Sequence, residues 1–476
     1  MSGLFFGPRA NAPARFRSWN LTMAVTESAR ATGSVLAALD EMDLRALSRA
    51  LSDHLRERQV TFGTADDGET ESFVVDPVPR LIGRDEWDAL AAGLAQRAEA
   101  LDRFVADVYG ERRIVSAGLV PWSTIASAEF YEPRLVELPP APVRWITIAG
   151  LDLVRDGEGP FVVLEDNVRT PSGIAYAVAA REALSGYLSV PEGIRVRSLE
   201  PAYALLGEAL RGAAAPDAGE QPVIVVLTDG PSNSAFYEHS AIARRLGLPL
   251  VAIGELSVRA KRLYARTDGR LLAVDVVYRR TNEDCLFDAA GARTTLADVL
   301  LGPLEAQTLA CVNAFGTGVA DDKLVHAYVE EMVRFYLGEE PLLASVPTHD
   351  PSQPGVLAMV LERLGELVIK PRSGHGGVGV VVGPRADEDA LATVSQQLTA
   401  TPERFVAQET IRLSRQPTVC GDELEPRHVD LRPFTFATGE NIQVFPGGLT
   451  RVALERGSLV VNSSQNGGAK DTWVLA

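Results

Sequence analysis

The sequence predicts an α/β protein with additional α+β elements, and three observations carry this. A strand-loop-helix-strand unit lies between Val223 and Ile253. A long stretch with helical periodicity precedes it, and short β-branched runs separated by turn signals flank it on both sides. The chain has 476 residues, of which 46% are hydrophobic. At about 100–200 residues per domain this is room for two to four domains.

Residues 1–35 are rich in Ala, Arg and Ser without a sustained period, and read as a flexible arm. From Leu36 to about Val120 the pattern is mostly helical. Between Asp85 and Tyr109, apolar residues fall at Trp87, Leu90, Leu94, Leu101, Phe104, Val105 and Val108, close to a 3.6-residue period, which predicts a core helix. Trp145–Ile148 and Phe161–Leu164 read as short strands, the second following the turn signal Asp156-Gly157-Glu158-Gly159-Pro160. Residues 36–215 thus form one helical and strand-bearing region, closed by a linker over 212–221.

The next unit spans 222–310. Val223–Leu227 is a buried strand, Asp229-Gly230-Pro231 a turn, Asn233–Leu246 a helix and Leu250–Ile253 the following strand. Such a βαβ piece belongs in a parallel sheet. In the last unit, 311–476, a helix is expected from Asp321 to Leu337, with Asp321 as N-cap and Gly338 as the stop. The final 130 or so residues read as alternating short strands and turns.

The net charge of −17 argues against nucleic acid or a membrane surface as the main partner, because both present negative charge. The three cysteines, Cys285, Cys311 and Cys420, are far apart, and no CxxC occurs. That excludes a disulfide scaffold and a cysteine zinc site, and fits a reducing compartment. No apolar run approaches the roughly 18–20 residues needed to span a bilayer, and Met1–Phe6 lacks a charged leader. A cytoplasmic protein is the expectation.

The strongest local signal is Val368-Ile369-Lys370-Pro371-Arg372-Ser373-Gly374-His375-Gly376-Gly377-Val378-Gly379, followed by Val380-Val381-Val382. Gly374, Gly376 and Gly379 match GxGxxG, but that fingerprint opens a helix in a dinucleotide fold, and a strand follows here. In the kinase glycine loop the lysine comes after the loop, whereas Lys370 precedes it, and neither HRD nor DFG is present. No Walker A, HExxH or GxSxG motif is present either. What remains is a strand ending in lysine and a glycine hairpin able to cradle phosphate; a plain glycine turn is the alternative.

Asp152 and Glu165-Asp166-Asn167 form the second signal. Glu165 and Asn167 are two apart on a strand and share a face, and Asp152 can lie beside them across the turn. Two carboxylates and an amide oxygen suit magnesium on nucleotide phosphates; an acidic strand end on a solvated surface is the alternative. Lys323, after Asp321 and Asp322, is weaker, being a lysine placed against the dipole of its expected helix. Asn233 reads first as a helix cap and His239 as a core histidine.

Together these segments resemble the circularly permuted ATP-grasp family, which includes the ATP-grasp parts of glutathionylspermidine synthase and eukaryotic glutathione synthetase. Further carriers are Gly150–Val154, Leu164–Gly173, Asn233–His239, Val277–Arg280 and Gly316–Lys323. The resemblance covers about residues 36–476, and Glu165-Asp166-Asn167 preceding Lys370 is the permuted order. It implies a permuted ATP-grasp fold with an inserted Rossmann-like substrate domain, and ATP and Mg2+ as cofactors. It implies Asp152, Glu165 and Asn167 as magnesium ligands, and Lys323 and Lys370 on the nucleotide. Gly374, Gly376, Gly377 and Gly379 form a lid, and the stretch Phe405–Glu409, with Gln408 and Glu409, an adenine-binding hinge. Ser172 and Asn233 contact substrate, and Arg279 or Arg280 receives a substrate carboxylate.

One position departs from the relatives: where glutathionylspermidine synthase has an arginine, this chain has Gly150. Arg432 is the candidate to supply that charge, as a catalytic residue with Lys370. The implied activity is an ATP-dependent ligase joining a small-molecule carboxylate to an amine through an acyl phosphate, with an amino acid or short peptide as substrate. A small-molecule kinase and a non-catalytic ATP-binding partner protein use the same residues. A homodimer is compatible with the family.

Overall fold

The computed structural model describes residues 26–63, 72–141, 143–373, 379–458, 461 and 467–476. Two helices come first, α1 (Glu27–Asp40) and α2 (Leu44–Glu57). Thr26 caps α1 by accepting from the Ala29 amide at 3.2 Å, and Asp43 caps α2 by accepting from Ala46 at 2.9 Å. Helix α1 thus lies inside the stretch expected to be an arm; residues 1–25 lie outside the described residues. On α2 Leu44, Leu47, Leu51 and Leu55 recur at three- and four-residue intervals and are all buried.

The expected helical run is then broken by a strand, β1 (Val75–Ile82). Its sequence, Val-Asp-Pro-Val-Pro-Arg-Leu-Ile, carries two prolines, which a helix interior excludes. The same prolines cannot donate to a ladder, and the register of β1 shifts between Asp76 and Arg80. Beyond it α3 (Arg84–Val108) buries every apolar position the periodicity marked.

A four-stranded antiparallel sheet follows, built on β2 (Ile148–Arg155) and β3 (Phe161–Asn167). Helix α4 (Ile174–Ser185) leaves it. Next come β4 (Ile224–Thr228), α5 (Phe236–Leu246), β5 (Leu250–Val251), β6 (Val276–Arg280) and β7 (Ala310–Val312). They form a four-stranded sheet of order β7-β6-β4-β5 in which every pairing is parallel, as the βαβ pattern requires. Helix α5 starts three residues later than expected, because Asn233 lies in the turn before it.

The helix expected over 321–337 is divided. A short turn of helix over Gly318–Asp321 ends at Asp322, which is extended, and α6 (Val329–Leu337) follows a 3-10 turn and stops at Gly338. Asp321 is not its N-cap: its carboxylate accepts from the amides of Val168 and Arg169 and from Arg169 Nε. Lys323 therefore lies in a connection rather than in a helical turn.

The last unit holds a second antiparallel sheet of β8 (Thr348–His349), β9 (Leu367–Pro371), β10 (Val381–Val382) and β11 (Phe405–Glu409), in the order β8-β11-β9-β10. Two helices, Val356–Glu362 and Glu388–Ala400, stand where only strands and turns were expected. They close a small separate core around Val360, Leu367, Val394 and Leu398. Strands β12 (Phe434–Thr438) and β13 (Asn441–Val444) return to complete the first sheet, β13-β12-β2-β3. Finally β14 (Thr450–Ala453) and β15 (Gly467–Val474) join β1, with β15 running parallel to it. The C-terminal strand thus fastens the N-terminal helices to the rest. The described cysteines are free.

Candidate active site

A cavity of about 480 Å3 opens between the β2–β3 hairpin and the β9–β11 sheet. That is the size range of small-molecule and cofactor sites. On its floor Asp152 stands opposite Glu165 and Gly150 opposite Asn167. Facing residues of an antiparallel pair share a face, so Asp152, Glu165 and Asn167 converge as their spacing predicted. A bulge between Asp152 and Leu153 lets the ladder skip Leu164 at this point.

Lys370, the penultimate residue of β9, donates to Glu165 Oε1 at 3.3 Å, across 205 positions of sequence. Burial alone would raise the Glu165 carboxyl, but the Lys370 and Lys323 charges bring it below its ordinary value. Lys323 reaches the Arg372 carbonyl at 3.5 Å. Arg372 donates Nε to both Asp322 oxygens, at 2.7 and 2.8 Å, and Nη1 to Ser127 at 2.7 Å. This pair ties the loop bearing Lys323 to the strand bearing Lys370, so both lysines face one cavity.

Arg432 was expected to bring a positive charge, and it donates Nε and Nη2 to Asp152 at 2.5 and 2.8 Å. Sequence reasoning missed its companion. Arg451, on β14, donates to Asp152 at 2.8 Å and to both oxygens of Asp430. Burial would raise the Asp152 carboxyl, yet the two guanidinium charges hold it well below the usual carboxylate range. A buried Arg inside the four-residue strand Thr-Arg-Val-Ala was the available signal. The Gly150 departure has a steric cause: a Cβ there would lie 2.9 Å from Pro171 Cβ and 3.0 Å from Phe434 Cε1. An arginine at 150 would have to displace Pro171 and Phe434.

The donor set fits a divalent cation. Among the described residues the buried Asn167 side-chain nitrogen has no hydrogen-bond partner, so the amide can turn its oxygen to the cavity. Glu165 adds a carboxylate held only by Lys370 among the contacts described. Both Asp152 oxygens already accept from arginine, but an ionised carboxylate has about four lone-pair sites, so pairing neutralises its charge without exhausting it. Among the described residues no three His, Cys, Asp or Glu side chains form a complete metal cage. This is the composition expected of Mg2+ shared with substrate phosphates.

The other expected site residues divide. Ser172 lines the cavity, and Arg280 lies directly behind it, donating to the Ser172 hydroxyl, to the Pro171 carbonyl at 3.0 Å and to Glu238 at 3.1 Å. Arg279 points elsewhere: it stacks on Phe315 at 4.1 Å and donates to Asn313 O and Asp284. It does not line the cavity. Asn233 is buried in the turn before α5, accepting from the Ala235 amide and donating to Asn282; its neighbours Ser234 and Ala235 line the cavity instead. Gln408 and Glu409 line it too, but the Glu409 carboxylate is held by Arg363 at 2.9 Å and by His349 at 3.0 Å, and the Glu409 amide is taken by Pro347 O at 3.0 Å. Thr410 and Ile411, just past the strand, also border the cavity. Gly379 has φ +74°, a conformation that favours glycine, whereas Gly374, Gly376 and Gly377 lie outside the described residues. His239 is a core histidine bonded to Thr228 at 2.9 Å, with burial pushing its pKa down to about 2.

Comparison with known proteins bears on the family and the fold. The family "Circularly permuted ATP-grasp type 2" matches residues 79–453. An uncharacterised Synechocystis protein is 45% identical over 414 residues, covering 86% of each chain. A Frankia alni protein named "Putative glutamate--cysteine ligase 2-3" is 46% identical over 425 residues, 88% of this chain and 49% of its own. The chain thus spans about half the length of that relative. A glutathione synthetase-like effector of Globodera pallida, solved in its apo form, shares the fold with a TM-score of 0.56 at 13% identity, covering 90% of this chain and 97% of its own. Membership of this family implies ATP and a divalent metal. The chain belongs to the circularly permuted ATP-grasp type 2 family.

Proposed function

We propose that the protein is an ATP-dependent carboxylate–amine ligase working through an acyl phosphate, with an amino acid or short peptide as substrate. The observation that carries this is the meeting of Lys370 and Lys323 with Glu165, Asp152 and Asn167 around one cavity, with Arg432 and Arg451 on its wall. A substrate carboxylate oxygen attacks the γ-phosphorus of ATP; the new O–P bond forms as the bond to the β–γ bridging oxygen breaks, and ADP leaves. An amine nitrogen then attacks the acyl carbon, the C–O bond to phosphate breaks, and a proton is lost from nitrogen. The products are an amide, ADP and phosphate.

Lys370 and Lys323 hold phosphate oxygens, and Arg432 stabilises the charge that develops beside Asp152. Glu165, Asn167 and Asp152 would hold Mg2+, which when bound neutralises phosphate charge. Thr410 and Ile411 would meet adenine with backbone groups that the sheet does not claim, with Val368 and Val382, side by side on one sheet face, against one face of the ring. Gln408 acts through its side chain, whereas the Glu409 carboxylate is committed to Arg363 and His349. The partners are small molecules, and the site of action is the cytoplasm.

The test is ADP and phosphate release from MgATP with pools of carboxylates and amines, beside Lys370→Ala. Release that requires one of each and vanishes in the variant supports the ligase. A stable phosphorylated product formed without amine replaces it with a kinase, and tight MgATP binding with no release under any pool replaces it with a non-catalytic role.

A further inference from the structure

The far end of the cavity differs in chemistry from the phosphate end. A chain of contacts connects the two: Lys370 to Glu165, Glu165 opposite Asp152, Asp152 to Arg432, and Arg432 Nη1 to the Ser172 carbonyl at 3.2 Å. Beside Ser172 and Gly173 the lining includes Phe62, Phe73, Tyr176 and Leu449, together with Gly63, Ser234 and Ala235. The rings brace one another. Tyr176 meets Phe62 edge-on at 5.4 Å and Phe73 at 4.9 Å between centroids, and Tyr237 backs it at 5.4 Å. The Tyr176 hydroxyl donates to Thr61 O at 2.8 Å, so the ring rather than the phenol is offered to the cavity.

Arg280, behind Ser172, is held by Glu238, Pro171 and Ser172, and the guanidiniums that line the cavity are each already paired: Arg169 with Asp321 and Asp284, Arg432 with Asp152, and Arg451 with Asp152 and Asp430. A second carboxylate on a substrate, such as the side chain of glutamate, would therefore be stripped of water against aromatic faces, which is unfavourable without a paired charge. An apolar side chain gains from the same surface.

From this wall we infer that the ligase's carboxylate substrate carries an apolar or aromatic side chain, seated on Phe62, Phe73 and Tyr176 while its reacting carboxylate lies on the Arg432 side. The inference rests on the ligase reading and departs from the glutamate in the name of the Frankia relative. It makes Phe62, half-buried on the cavity wall, a specificity-determining residue.

The experiment is calorimetric titration of the full chain, loaded with MgADP, with phenylalanine, leucine, glutamate and aspartate in turn. Phenylalanine or leucine is expected to bind at least about tenfold more tightly than either acidic amino acid. Phe62→Ala should weaken that binding about tenfold and leave ADP affinity unchanged. Should Phe62→Ala fail to fold, Phe62→Leu, which keeps bulk but removes the ring, should weaken phenylalanine more than leucine. Tighter binding of glutamate or aspartate, no binding of any of the four, or an unchanged affinity in the Phe62 variants overturns the inference. The ligase reading fails separately: apolar acids that bind without ADP release alongside any amine defeat it and leave the specificity standing, whereas release with glutamate alone does the reverse.

Discussion

Strand β3 presents Glu165 and Asn167 to the cavity, yet it is an edge strand, with β2 as its ladder partner in the sheet. Its other face is held by charge. Asp166 points away from the cavity and accepts from Arg97 Nε at 2.6 Å and Nη2 at 2.8 Å, and its Oδ2 lies 2.7 Å from His326 Nδ1. The side chains of Asp166 and Arg97 are 1% and 2% exposed. Asp166→Asn keeps the volume and removes the charge, leaving the Arg97 guanidinium buried beside a neutral amide. Breaking a buried pair on one side costs about 3–5 kcal/mol, and the retained amide oxygen puts this case at about 3. A chain with several cores does not unfold in one step, so hydrogen exchange of the β3 amides is the measurement.

At 1.36 kcal/mol per factor of ten, those amides should exchange about a hundredfold faster. Turnover should fall by a similar factor of about a hundred as Glu165 and Asn167 shift. The paired change Asp166→Leu with Arg97→Met removes both charges and should recover most of the protection. The pH dependence has a fixed sign. Burial raises the Asp166 carboxyl, but the Arg97 charge wins and holds it well below its ordinary value. Its contribution is therefore complete above about pH 4 and is lost as pH falls further, in the wild type but not in the doubly apolar variant. Exchange in Asp166→Asn within about threefold of wild type, equivalent to less than 1 kcal/mol, would refute the argument.

Three further outcomes are expected. Burial pushes Glu132 up to about 7 from 4.5, against the pull of the Phe287 and Leu286 amides. The folded state thus holds an extra proton between those values, so stability should fall as pH rises from about 4.5 to 7; Glu132→Gln should flatten that slope in denaturant titrations at a series of pH values. At Gly383 a Cβ would lie 1.9 Å from Leu364 O and 2.6 Å from Leu367 O, both backbone. Gly383→Ala should cost about 3 kcal/mol and lower the thermal midpoint together with nucleotide affinity, whereas Ala at the open Gly365 should leave nucleotide affinity at its wild-type value. Glu165→Gln should raise the magnesium concentration needed for half-maximal ATP binding about tenfold or more, read by titrating Mg2+ at fixed ATP; an unchanged requirement removes Glu165 from the ligand set.

What the sequence made legible is what short-range rules control. Asp152, Glu165 and Asn167 share a face because strands alternate, and a turn signal announced their hairpin. Lys370 was readable as the end of an apolar strand. The parallel sheet of β4 to β7 followed from its βαβ pattern. Long-range closure hid the rest. Arg451, itself held by Asp430, reaches Asp152 only because β14 and β15 fold back beside β1, more than 300 positions away, and β1 was itself concealed by Pro77 and Pro79. The loop of Lys323 was misread as helix because Asp321 and Asp322 resemble an N-terminal turn. In the fold each has a distant partner instead, Arg169 and Arg372.

Those two aspartates also explain how a permuted chain can assemble an ATP-grasp site. The site needs an acidic hairpin and a lysine-bearing sheet to face each other, and no covalent order between them is required by the chemistry. Here they are joined through the segment 316–323. Asp321 grips the backbone after β3 through Val168 and Arg169, and Asp322, next in sequence, grips Arg372 just after Lys370. Lys323 follows directly. Three consecutive residues thus bind the acidic hairpin, bind the lysine-bearing strand, and add a second cation between them. An aspartate that pairs with a buried arginine cannot be exchanged for its neighbour without turning both grips to the wrong side. The spacing Asp-Asp-Lys is on this account a joint of fixed geometry, and inserting one residue between Asp321 and Asp322 should separate Lys370 from Glu165 while leaving each sheet folded.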